Sequence, residues 1–161
     1  MKLFLKRNSA DEETRFVIYD QSGRVKYKVK VLSEKFRQKI DLVDSDDIVL
    51  SEITHKDLVL HYFTVRCCGR FVVLAPQIKD CFYFILFGSN YRFAGDIGSG
   101  SFSLFDVDKT TLMTQKKCWS RWGDSYELKI LRPEDELFAV SCAVCADMYI
   151  AVSDHSRVLS E

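Results

Sequence analysis

At 161 residues, 47% hydrophobic and 13% aromatic, with 12 Phe against 7 Gly and 2 Pro, the chain is suited to one packed domain spanning residues 1–161, which excludes a disordered or fibrous class. Its 23 Lys and Arg balance its 23 Asp and Glu, so no global field draws it to nucleic acid or membrane, and any charged partner must be met by a local patch. The opening MKLFLKRNSADEE turns charged too soon for a signal peptide, and no apolar run reaches the roughly 18 residues that span a bilayer. The expectation is a cytoplasmic protein without a transmembrane segment, at most peripheral to a membrane, whose six cysteines are reduced.

In chain order, short runs of Val, Ile, Phe, Tyr and Thr predict strands at Leu3–Lys6, Arg15–Asp20, Val25–Val31, Lys39–Asp44, Ile48–His55, His61–Cys67 and Arg70–Pro76. Further strands follow at Phe82–Phe87, Tyr91–Gly95, Phe102–Val107, Thr111–Trp119 and Ser125–Ile130. Turn residues between them, such as Gln21-Ser22-Gly23, Ser45-Asp46-Asp47 and Gly88-Ser89-Asn90, mark hairpins. About a dozen strands so linked make a meander that closes into a barrel or folds into a sandwich.

After Pro133 the period changes. Pro133 suits the first helical position, and Glu134, Asp135 and Glu136 lie where a helix dipole favours anions. From Leu137 to Val152 only Ser141 and Asp147 are strongly polar, so the helix is apolar on all sides and must be buried on all sides. Its 16 residues, about 24 Å at the helical rise, are too short to cross a membrane. A dozen-stranded barrel has a lumen too wide for its own side chains to fill, and a helix threaded through it solves both problems. A membrane-inserted hairpin and an interface helix are the alternatives.

One unit recurs, an apolar pair followed by Asp, a polar turn and a new apolar run: VIYDQSGRVKY from Val17, DLVDSDDIVL from Asp41 and SLFDVDKTTLM from Ser103. In each, the Asp side chain can cap the backbone amides of its turn. Together with Trp119, Trp122, Gly123, Asp124, Tyr126 and Leu128 and the hydrophobic C-terminal helix, these hairpins resemble the LURP-one-related family, of the tubby C-terminal-like superfamily that also holds the phospholipid scramblases. The resemblance covers nearly the whole chain and implies a closed antiparallel β-barrel of twelve strands around a central helix. Scramblase features that would carry lipid transport, namely a Pro-rich N-terminal region, a palmitoylated Cys cluster and an acidic calcium loop, are missing. Many members of the family have no assigned biochemical role.

The stretch RVKYKVKV alternates cations with apolar residues. In a strand, Arg24, Lys26, Lys28 and Lys30 share the outer face, while Val25, Tyr27, Val29 and Val31 point to the core. With Lys35, Arg37 and Lys39 it holds seven cations against one acid, Glu34. The plain reading is a solvated face whose charge discourages edge pairing. The functional reading is a site for anionic headgroups or phosphates, which the superfamily resemblance strengthens because tubby domains bind phosphoinositides through surface Lys and Arg. A protein partner without a lipid ligand is the alternative.

Other features favour structural readings. Cys142-x-x-Cys145 falls mid-helix, away from the strand-to-helix start that activates redox pairs. His55, His61 and His155 are scattered, and no cofactor, metal or catalytic set is expected. The loop Gly95-Asp96-Ile97-Gly98-Ser99-Gly100-Ser101 leads into a strand, so it reads as a hairpin loop and not a phosphate cradle. Asp147 needs a hydrogen-bond or cationic partner. An exposed aromatic rim for membrane insertion is one reading of Trp119 and Trp122; the favoured reading puts one inside the barrel and the other over its end. A non-enzymatic binding or scaffold module is the reading that follows.

Overall fold

The structure, a computed structural model, describes residues 1–34, 37–57, 61–78, 82–121 and 123–158. It contains β1 (Lys2–Arg7), β2 (Thr14–Asp20), β3 (Val25–Glu34), β4 (Arg37–Val43), β5 (Val49–Asp57) and β6 (His61–Cys67). These are followed by β7 (Arg70–Ile78), β8 (Phe82–Phe87), β9 (Arg92–Asp96), β10 (Ser101–Phe105), β11 (Thr111–Ser120) and β12 (Gly123–Ile130). A single 3-10 turn, Pro133–Asp135, then leads into α1 (Glu136–Val158). Every expected strand is present. Each pairs antiparallel with its chain neighbours, and β1 pairs with β12 at Leu3↔Leu128 and Leu5↔Tyr126, so the sheet closes into a twelve-stranded barrel.

Closure leaves no sheet edge and fixes which face each side chain occupies. Leu3 and Leu5, Phe16 and Ile18, Ile40 and Leu42, Phe63 and Val65, Val72 and Leu74 all point inward and are fully buried. Against them lies α1, buried without a break from Phe138 to Met148. Ala139, Ala143 and Ala146 keep the helix slim enough for the lumen, and its Ser141 hydroxyl lies 2.9 Å from that of Ser51 on β5. The Ser141 hydroxyl also donates to the Leu137 carbonyl at 2.8 Å, so this buried polar group is satisfied on its own helix.

Two expectations change. The helix has 23 residues and not 16, and Pro133–Ser153 is long and apolar enough to cross a membrane, so the length argument fails. What accounts for its composition is the barrel: 67% of that segment is buried inside the protein. Val25, expected in the core, is 37% exposed. The β2–β3 register slips between Ile18↔Tyr27 and Tyr19↔Val25, and this bulge turns Val25 outward beside Arg24.

The Asp-turn repeat holds in all three hairpins. The Asp20 carboxylate accepts from the amides of Ser22 and Arg24 at 2.8 and 3.0 Å, and Asp44 accepts from Asp46 and Ile48 at 2.9 and 3.0 Å. Asp106 accepts from Val107 at 2.6 Å. Bonding to Ser22 and to these amides holds Asp20 ionised, its pKa down to about 2.

Candidate functional site

On β3 the alternation places Lys26, Lys28 and Lys30 outside and Tyr27 and Val29 in the core. β4 adds Arg37 and Lys39 to the same outer surface, since the inward positions of that strand are Ile40 and Leu42. Lys35 lies outside the described residues. The cations are not bare. Lys26 pairs with Glu136 at 2.6 Å, Lys28 and Lys30 share Asp47 at 3.4 and 3.0 Å, Arg24 meets Asp20 at 3.4 Å and Lys39 meets Asp41 at 3.8 Å. Six described cations therefore face four carboxylates, which leaves a smaller positive excess than the sequence suggests.

At the start of β3 an open recess of about 660 Å³ is lined by Lys2, Arg24 and Lys26, by the apolar Met1 and Val25, and by the single acid Asp20. Three cations, from β1, the β2–β3 turn and β3, thus gather round one end of the stripe. The sequence hid this grouping because Lys2 lies far from β3 along the chain. The exposed pairs of Arg24 with Asp20 and of Lys28 and Lys30 with Asp47 contribute only about 0–1 kcal/mol each, so an incoming phosphate can replace those carboxylates at little cost, whereas the largely buried Glu136 holds Lys26 more firmly.

Two further charged clusters hold the helix, one at its start and one at its middle. Where α1 enters, Asp135 is almost fully buried and accepts from Arg70 at 3.3 Å, Tyr91 at 3.0 Å and the Arg132 guanidinium. Arg132 also reaches Asp106 at 2.7 Å. The acids after Pro133 therefore do more than answer a dipole: Asp135 ties the helix to β7 and β9–β11, and Glu136 binds Tyr27 at 2.7 Å and Lys26. Midway along α1, Asp147 has no exposed surface and meets Arg7, whose Nη2 and Nε lie 3.0 and 3.3 Å from Oδ2. Burial pushes its pKa up, against the pull of Arg7. Burial, and then the charge of Asp147, also raises Tyr126 to about 12. Arg7 was legible by parity, because residues 3, 5 and 7 of one strand share a face.

The remaining candidates fall as structural features. Cys142 and Cys145 are buried mid-helix with thiols pushed well up by desolvation, as expected of small core hydrophobes. Among the described residues no cluster of three or more His, Cys, Asp or Glu is arranged to hold a metal. His55 stacks on Phe63 in the core, and its pKa is lowered, chiefly by burial. Asp96 accepts from the Gly98 amide at 3.0 Å and closes the glycine-rich segment as a hairpin turn. Trp119 departs from expectation. It is 84% exposed beside the β11–β12 turn, which rules out the barrel interior, and Trp122 lies outside the described residues.

Comparison with known proteins agrees with this architecture. The chain is 28% identical over 154 residues to the uncharacterised protein YxjI of Bacillus subtilis (strain 168), covering 93% of this chain and 94% of that protein. No solved structure matches it. The family model described as LURP-one-related matches residues 1–147, which takes in all twelve strands and the buried stretch of the helix as far as Asp147, and the chain belongs to that family.

Proposed function

We propose that this protein is a non-catalytic binding module that docks on anionic lipid headgroups through the start of β3. The observation that carries this reading is the recess where Lys2, Arg24 and Lys26 stand beside outward-facing Met1 and Val25. Cations next to apolar side chains suit a bilayer interface, where phosphates meet the first acyl carbons. Each cation near such a surface contributes about 1 kcal/mol. A binding role is favoured over catalysis because the lumen, where a barrel would enclose a substrate, is occupied by α1 from Phe138 to Met148.

The test is sedimentation with vesicles of phosphatidylcholine alone and of equal parts phosphatidylcholine and phosphatidylserine, at low and physiological salt. The comparison is an Arg24→Ala/Lys26→Ala/Lys28→Ala/Lys30→Ala variant. The gain in binding from phosphatidylserine is expected to shrink with salt and to fall about tenfold or more in the variant. A variant that responds to phosphatidylserine as the parent does would sink the assignment. Absence of binding to either vesicle would leave the outer surface to a protein partner.

A further inference from the structure

In an antiparallel barrel alternate connections share one end, so the turns after β2, β4, β6, β8 and β10 and the β12–α1 link all lie where the helix enters. Each of these six connections carries or adjoins an exposed large apolar residue. In order they are Val25, Ile48, Phe71, Phe87, Val107 and Leu131, with 37 to 62% of their surface in water. Single exposed apolar residues are ordinary. One at every connection, round the whole circumference of a barrel end, is not required by folding, because none of the six contributes to the filled lumen.

We infer that this end of the barrel is a bilayer-docking rim, with the barrel standing end-on and the six turns dipping into the lipid interface. The inference extends the headgroup reading above but rests on apolar contact, not on charge. The occupant must be flat and as wide as the barrel, because the apolar residues encircle its end. A second copy docked end to end would press a rim carrying the exposed acids Asp46, Asp108 and Glu134 and the exposed cations Arg24 and Lys109 against its like, stripping water from all of them. A neutral bilayer brings no opposing acids, and its hydrated headgroup layer leaves these side chains in water. Several other acids at this end are already engaged: Asp47 by Lys28 and Lys30, Glu136 by Lys26, and Asp135 by Arg70 and Arg132. A neutral bilayer is therefore accepted as well as an anionic one.

Cys68, exposed in the β6–β7 turn with φ of 51°, sits in the rim and takes an environment-sensitive fluorophore in a Cys81→Ser/Cys118→Ser background. On phosphatidylcholine vesicles its emission is expected to shift to the blue. An Ile48→Ser/Phe87→Ser/Val107→Ser variant, whose charge is unchanged, is expected to lose about tenfold or more of its partition onto both vesicle compositions. Its thermal transition should stay that of the parent, since these side chains pack little, and a second triple, Phe71→Ser/Phe87→Ser/Leu131→Ser, checks the other side of the rim. If the serine variants bind like the parent, or the probe stays in water while the protein still binds phosphatidylserine vesicles, the end-on inference fails and the headgroup reading stands. If the protein binds neutral vesicles through the rim and the β3 alanines change nothing, the reverse holds. Binding to no vesicle overturns both. Self-association in solution that the serines abolish makes the rim a contact between copies and overturns the inference.

Discussion

Asp147 is a carboxylate with no exposed surface, held by a guanidinium whose own side chain is 54% exposed. That asymmetry decides what each substitution does. Removing Arg7 leaves the buried carboxylate with only the Tyr126 hydroxyl and the charge of Arg15 to answer it, which costs several kcal/mol for a fully enclosed pair and about 2–3 kcal/mol here, where the arginine is half in water. Removing the carboxylate frees Arg7 into solvent at small cost. Arg7→Ala is therefore expected to destabilise by about 2–3 kcal/mol at pH 7, and Asp147→Asn in the same chain to restore most of it. The pH dependence has a definite sign. Burial already raises the folded-state pKa of Asp147 above its ordinary value, so the folded protein binds this proton more tightly than the unfolded chain, and stability from this group falls as pH rises past the ordinary carboxylate range. Loss of Arg7 raises that pKa further. The deficit of Arg7→Ala should then shrink as pH is lowered from 7 toward 4, where the neutral acid has no need of the arginine. Urea unfolding of the four proteins of the cycle at both pH values measures it; a deficit independent of pH would mean that Arg7 acts through packing alone.

Among the elements, the β9–β10 hairpin has the least room. The backbone of Gly95 faces Phe102 across the pair, and a Cβ there would come within 2.1 Å of the Ser101 carbonyl oxygen and 2.7 Å of the Phe102 Cα. Backbone cannot yield as a flexible side chain does. Gly95→Ala is expected to cost about 1–3 kcal/mol, as overpacking does, with the loss seen as a lowered thermal midpoint. Gly69, where nothing lies within 4 Å, serves as a control for backbone strain alone, its φ being +70°. A Gly95→Ala protein as stable as the parent would show that the hairpin opens easily. Strand positions were legible because a half-buried strand must alternate and the Asp turns mark its ends. The outward turn of Val25 was not, since a bulge comes from the pairing of two strands and leaves no mark on either alone. The charge of β3 misled for the same reason. Its carboxylates come from the β4–β5 turn and the head of α1, which are distant in sequence and adjacent only once the barrel has closed.

For the whole molecule, barrel and helix have no separate existence. An all-round apolar helix specifies that something must enclose it, and a dozen strands specify a lumen that something must fill; each requirement was readable, and together they gave the architecture. The helix length was misjudged because the polar residues after Val152 hide its last turns, which continue to Val158. A chain ending at Arg132 would keep every strand yet lose Phe138, Val140, Val144, Met148 and Ile150 from the core, as well as the Asp135 clasp. At about 1.5–3 kcal/mol for each large apolar side chain, that loss rivals the whole stability of a domain, which is typically about 5–15 kcal/mol. Closure adds a kinetic side: β1 can pair with β12 only across a sequence separation of 129, from Met1 to Ile130, and the helix follows last in the chain. The truncated chain is therefore expected to show no cooperative thermal transition and no near-ultraviolet dichroism, and to aggregate through unsatisfied strands. A cooperative melt from that chain would mean that the strands can close on a smaller lumen of their own, and that α1 is an added occupant and not the core of the fold.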